Sequence, residues 1–136
     1  MTVENTNVDK MPISLPSMTY QIRSGHGKVH VIITRDPDDK RMLQVFVKIT
    51  PDADNGTYCD KTLGEIIGRL VSTALEYSAS PKLVASQLNM VSCGHPSMVH
   101  IEGQQQGQTI KSIADAVGTI MLMDIEQYGT ELEKQS

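Results

Sequence analysis

The stretch TLGEIIGRLVSTALEY, residues 62–77, decides how the rest of the chain is read. Leu63, Ile66, Ile67, Leu70, Val71, Ala74 and Leu75 recur at i, i+3, i+4, i+7, i+8, i+11 and i+12, which is the apolar face of an α-helix. Gly64, Gly68 and Ser72 form a second row of small residues at i, i+4 and i+8. Small residues admit a neighbouring backbone closely, so the helix is expected to be contacted on two sides. The second row predicts close packing, either against the last helix or across a dimer. Asp60 is the expected N-cap, and Glu65 in the early turns suits the helix dipole.

Outward from this helix the chain reads as α+β. Residues 18–23 are rich in strand formers, and residues 24–27, Ser-Gly-His-Gly, form a turn. Residues 28–34 alternate, with Val29, Val31 and Ile33 on one face and Lys28, His30 and Ile32 on the other. A charged connection over 35–41 includes Pro37 and the Asp38-Asp39 pair. Residues 42–49 alternate again, with Leu43, Val45, Val47 and Ile49 together. These pieces predict a three-stranded antiparallel meander with one buried face. The long amphipathic helix follows a loop over 50–58. Ser80 and Pro81 then start a short helix to about Asn89, with Leu83, Val84 and Leu88 inward. Residues 90–108 are irregular apart from a short strand over 98–101, and the glutamine-rich part reads as a solvated turn. Ser112 caps a C-terminal helix with Asp115 three residues on. Its stripe is Ile113, Val117, Ile120, Met121 and Ile125, and Gly129 stops it. The expected organisation is a flexible tail over 1–16, one domain over 17–129 and a frayed end over 130–136.

Composition narrows the function classes. The chain has 136 residues, enough for a single core, but only 39% are hydrophobic and 4% aromatic, with no Trp. The 8 methionines take over part of the gap-filling that aromatics would do. A net charge of −4 argues against a duplex nucleic-acid binder, which needs a basic stripe. It leaves room for a local pocket that takes a small phosphorylated ligand. No run approaches the ~20 apolar residues of a membrane span. Residues 1–10 lack the apolar core of a signal peptide, so a cytoplasmic protein is expected. In that setting Cys59 and Cys93 read as thiols or metal ligands rather than a disulfide.

In order and spacing the chain resembles the TSCPD domain family. The matching stretches are SGHGKVHV (24–31), QVFVK (44–48), Cys59 leading into LGEIIGRLVS (63–72), Pro81 through Gln87-Leu88 to Cys93, and SIADAVG (112–118). That family is best known as a C-terminal module of adenosylcobalamin-dependent ribonucleotide reductases and also occurs as separate small proteins. Its pattern has a Gly-Cys-Gly-Lys turn, a Gly-Gly-Cys entry to the long helix, a cysteine after the second helix, and Ser-Cys-Pro-Asp-Ala at the last. Here His26 stands at the first cysteine position, Ile113 at that of the name-giving motif, and Ala114 at its proline. The resemblance implies a role beside a reductase. The chain itself has no cobalamin motif, no radical-site cysteine set and too little length for a reductase barrel.

Two candidate sites follow. His26, Cys59 and Cys93, with His95 as a fourth, have the Cys/His chemistry that suits zinc, and they lie in separate loops that could converge. The alternative reading has the cysteines as small buried apolar residues and His26 in a turn that Gly25 and Gly27 make room for. The second candidate is a ligand site. Gly25 and Gly27 expose backbone N–H groups in a turn beside Arg23 and Lys28, and Asn55 and Arg69 could join an anion pocket. The alternative there is a plain hairpin with surface cations. Cys93 and His95 are close in sequence, but a catalytic pair needs an orienting third group. No complete catalytic motif is present, and His30 and His100 read as structural. The Gly64/Gly68/Ser72 row, with Leu122 and Met123 partly off the last helix's stripe, points to a homodimer, unless the tail covers that surface. The functional expectation is therefore a non-catalytic accessory or binding protein that takes a reductase subunit or a nucleotide. The alternative is a stand-alone protein that sequesters a small nucleotide.

Overall fold

A computed structural model describes residues 14–54, 56–101 and 106–135. Strands β1 (Ser17–Ser24), β2 (Gly27–Arg35) and β3 (Met42–Pro51) form an antiparallel sheet in the order β1-β2-β3. Helices α1 (Tyr58–Glu76) and α2 (Pro81–Leu88) follow. A two-stranded ribbon of β4 (Ser97–Val99) and β5 (Gln108–Ile110) comes next, then α3 (Ile113–Tyr128) and the short α4 (Glu131–Gln135). The expected α+β architecture and its meander are present. β5 is an addition that its short, polar sequence did not signal.

The sheet alternates as period-two patterning requires. Ile22, Val29, Val31, Ile33, Val45, Val47 and Ile49 are buried on one face. A register shift between Thr34 and Arg35 pairs Arg35 with Met42, so Met42 is buried and Leu43 is not. α3 lies across the buried face and is enclosed nearly all round. Gly118 brings it so close to α2 that a Cβ would sit 2.8 Å from the Asn89 nitrogen and 2.9 Å from the Ala85 carbonyl oxygen.

α1 does not bury the stripe its sequence advertises. Its inward residues are Gly64, Ile67, Gly68, Val71 and Leu75, whereas Leu63, Ile66 and Leu70 are exposed. The helix lies along the free edge of β3. A Cβ at Gly68 would stand 3.1 Å from the Val47 nitrogen and 3.2 Å from the Val45 carbonyl oxygen. Ser72 Oγ donates to the Val45 carbonyl at 2.9 Å and accepts from its N–H at 3.0 Å. The small-residue row therefore packs on β3, and α1 covers an edge that would otherwise offer unpaired main-chain groups. The cap also differs from expectation. Thr57 is the N-cap, and Asp60 sits at N3, closing a capping box with the Thr57 N–H. In α2, Ala85 is buried and Leu83 faces solvent, a reversal of the expected inward position of Leu83.

The C-terminal end is docked rather than frayed. Glu133 of α4 is buried and accepts from Arg35 at 2.8 Å, the Met42 N–H at 2.8 Å and the Thr130 N–H at 3.0 Å. Arg35 also donates to Asp124 through Nε at 3.0 Å and Nη2 at 2.5 Å. Tyr20 Oη donates to the other Asp124 oxygen at 2.6 Å. Burial alone would lower the Arg35 pKa, but the bonds to Glu133 and Asp124 outweigh that and hold it above its ordinary value. One buried arginine thus ties β2, α3 and α4 together.

Candidate functional site

The β1–β2 hairpin tip, the 92–97 loop and the start of α1 meet at one end of the sheet. Ser24 Oγ stabilises the tip from within, donating to the Gly27 carbonyl at 2.9 Å and accepting from the His26 N–H at 3.2 Å. Gly27 has φ +148°, and any Cβ there would overlap the Thr50 carbonyl. Gly25 lets the main chain of His95 lie directly on the tip. Ser97 Oγ fastens the same loop to β1 by donating to the Arg23 carbonyl at 3.0 Å.

The loop's other end is held by α3. Ser112 caps that helix and also donates to the Val91 carbonyl at 2.5 Å. The buried Asp115 carboxylate accepts from the Met90 N–H and the Lys111 N–H, each at 2.8 Å. The Cys93 N–H then donates to the Lys111 carbonyl at 3.1 Å. The serine and aspartate of SIAD therefore place Cys93. Ile113, between them, is 2% exposed and belongs to the core.

These supports bring His26, Cys93 and His95 together, with one potential ligand atom from each all within 4.8 Å of one another. His26 Nε2 is 3.2 Å from Cys93 Sγ, and the two imidazole rings stand edge to face with centroids 5.0 Å apart. Four-coordinate zinc, with Zn–N about 2.0–2.1 Å and Zn–S about 2.3 Å, needs donor atoms roughly 3.3–3.7 Å apart. The His26–Cys93 pair is near that spacing, and all three donor atoms lie within 4.8 Å of one another. Behind it, His26 Nδ1 lies 3.5 Å from Asp60 Oδ2. A proton on Nδ1 would face this carboxylate and leave the Nε2 lone pair toward Cys93. A carboxylate behind a histidine is the usual way a ligating ring is fixed.

Three of the four expected metal residues thus converge. Cys59 is exposed and stands outside the group. Asp60, the next residue, holds the inward position instead, because the capping box turns its carboxylate toward Thr57 and the hairpin tip. In sequence Asp60 reads as a cap, and its contact with His26 goes unseen. A carboxylate at N3 of a helix next to a loop histidine was the available signal.

The expected ligand residues are more dispersed. Arg23 forms an ion pair with Asp52 at 2.6 Å, and Lys28 is half-buried beside it on the ladder. Gly25 and Gly27 serve close packing. Arg69 is paired with Glu65 at 2.8 Å and lies roughly 13 Å along α1 from Asp60 at 1.5 Å per residue. Asn55 lies outside the described residues. Arg23 does line a separate cleft of about 660 Å³ between β1 and α3, with Gln21, His100 and Gln127 as polar walls and Ile22, Ile120 and Met123 among the apolar ones. No helix among the described residues is long and apolar enough to cross a membrane.

A family model described as the TSCPD domain matches residues 9–125. No curated protein and no solved structure matches the chain.

Proposed function

The chain belongs to the TSCPD domain family, and from that premise we propose that it is a non-catalytic accessory module of nucleotide metabolism that binds a ribonucleotide reductase subunit. The match over most of the chain carries this reading. Zinc held by His26, Cys93 and His95 would act as a cross-link between the hairpin tip and the 92–97 loop, with Asp60 orienting His26. The exposed positions of Cys93 and His95 suit a site completed by a further donor. The role is tested by affinity capture with the cognate reductase subunits from the same source. Saturable binding is expected, and absence of binding to every subunit rejects it. Elemental analysis tests the metal: less than about a tenth of an equivalent of zinc in protein purified without chelators rejects the cross-link.

The cleft lined by Arg23, His100 and Gln127 supports a second reading, a protein that binds and sequesters a small nucleotide. Its size falls within the roughly 300–1,000 Å³ of ligand pockets, and it combines a cation with an apolar wall. Calorimetric titration with nucleotides separates the two readings. Saturable binding with the ligand recovered unchanged supports sequestration, and silence across mono-, di-, tri- and cyclic nucleotides ends it.

A further inference from the structure

The three-stranded sheet has a second face that the core does not use. Side chains alternate along each strand, so Val29, Val31, Val45 and Val47 point into the core while Lys28, His30, Ile32, Phe46 and Lys48 point out. None of the outward positions is buried, and Phe46 is 57% exposed. The register fixes their neighbours. Ile32 is opposite Phe46, His30 is opposite Lys48, and Lys28 lies between Thr50 and Arg23. The face therefore has one apolar row at Phe46, followed roughly 7 Å further along the strands by the first of two rows that carry the cations. No Asp or Glu occupies an outward position on any of the three strands, in a chain whose net charge is −4. Asp52 pairs with Arg23 at the corner, and Glu65 pairs with Arg69 on the bordering helix. Among the described residues Lys28 and Lys48 enter no ion pair.

We propose that this face binds single-stranded nucleic acid, with a base stacked on Phe46 and the neighbouring phosphates held by Lys48 and Lys28. A face with unpaired cations and no carboxylate calls for an anionic partner. Its composition selects which one. A protein interface is a little over half apolar, and Phe46 and Ile32 are the only apolar side chains at the outward positions. That is too little for a protein contact or a second copy of the chain. It suits one or two bases, whose flat faces stack on an aromatic ring whatever their identity. Phe46 also borders a shallow groove against α1 that Gln44, Glu65, Arg69 and Thr73 line, which gives a stacked base hydrogen-bonding groups at its edge. A duplex keeps its bases stacked on one another and offers none to Phe46. Gln21 and Arg23, on the edge strand β1, border the cleft described above as well, so the test rests on residues of β2 and β3.

Fluorescence anisotropy of the full chain with labelled oligo-dT and oligo-rU of about twelve nucleotides tests this between about 50 and 200 mM salt. Saturable binding to either strand is expected, at least about tenfold tighter than to a duplex of the same length, and the two arms show whether the 2′-hydroxyl contributes. Phe46→Ala weakens binding at least about fivefold and leaves the salt slope as it was. Lys28→Gln and Lys48→Gln each reduce that slope by about 0.7, the value for one phosphate of a single strand. None of the three side chains is buried, and thermal melting checks that each variant is folded. Three results overturn the proposal: no saturable binding to either strand at about 50 mM salt, a duplex bound as tightly as a single strand, or a Phe46→Ala protein that binds as wild type does. So does poly-glutamate that displaces the labelled strand as well as unlabelled oligonucleotide does, which would make the face a dock for an acidic protein.

Discussion

Gly25 lies against the main chain of His95 so closely that a Cβ at position 25 would overlap the His95 carbonyl. This contact sets the approach of the histidine loop to the hairpin tip, and it is made by the His95 main chain first and its Cβ next. Gly25→Ala is therefore expected to push residues 92–97 away and separate His95 from His26. The measurement is zinc stoichiometry after dialysis against trace metal. Protein that takes up zinc as wild type does should take up less than half an equivalent once alanine is present. Equal loading would show that the loop reaches the metal without resting on the glycine.

Asp60 meets the cluster at His26, 3.5 Å from its Nδ1. Asp60→Asn keeps much of the capping geometry but removes the carboxylate. Loss of such an outer partner typically lowers metal affinity 10–100-fold. Competition with a chromophoric chelator should show that fall while Cys59→Ser, outside the group, leaves affinity unchanged. If Cys59→Ser weakens zinc as much as His26→Ala does, the three-residue assignment is wrong.

The parts of the fold legible in sequence are those with a period. Strict alternation gave β2 and β3, and Ser80-Pro81 and Ser112 gave true helix starts. α1 was legible as a helix but not in its orientation. Hydrophobicity favoured Leu63, Ile66 and Leu70 as buried, yet close approach to a strand edge selects small residues, and Gly64 and Gly68 took that side. The site was half legible for a related reason. Cysteine and histidine identity marks the right residue types, and His26, Cys93 and His95 do meet. Which neighbours join them depends on the capping box that turns Asp60 inward, and on Asp115 holding the Met90 and Lys111 N–H groups. Neither contact has a periodic signature. The docking of α4 was hidden too, because Glu133 finds a buried arginine far away in sequence.

Tyr20 supplies a pH dependence. Burial, then its hydrogen bond to Asp124 and the charge of that carboxylate, raise its pKa above the ordinary 10.0. Above that pH the unfolded chain releases the Tyr20 proton while the folded chain keeps it. The unfolded state then binds fewer protons, so stability falls as pH rises. The contribution is fully present below about pH 10 and is lost progressively above it. Urea melts from pH 8 to 11 should show a steeper alkaline decline in wild type than in Tyr20→Phe. Phenylalanine lowers the baseline by removing one hydrogen bond but cannot titrate. Parallel curves would place the proton elsewhere.

The Ser72 hydroxyl satisfies both edge-pointing groups of Val45, at 2.9 and 3.0 Å. Ser72→Ala adds helix propensity worth a few tenths of a kcal/mol and leaves an N–H and a carbonyl at the β3 edge without a partner. Unsatisfied main-chain groups cost about 1–3 kcal/mol when buried, and this edge is partly open, so a net loss of roughly 1–2 kcal/mol is expected. Thr73→Ala, on the exposed neighbour, should stay within about 0.5 kcal/mol and serves as the control. Gly68→Ala tests the same edge by bulk. Its Cβ would press on the Val47 nitrogen and the Val45 oxygen, which are backbone and cannot turn aside. The roughly 1 kcal/mol that alanine gains over glycine in a helix should therefore fail to appear as stability. Chemical denaturation of the three variants decides the matter. A Ser72→Ala protein as stable as Thr73→Ala would mean that water already serves the β3 edge, and that the helix covers it by shape alone.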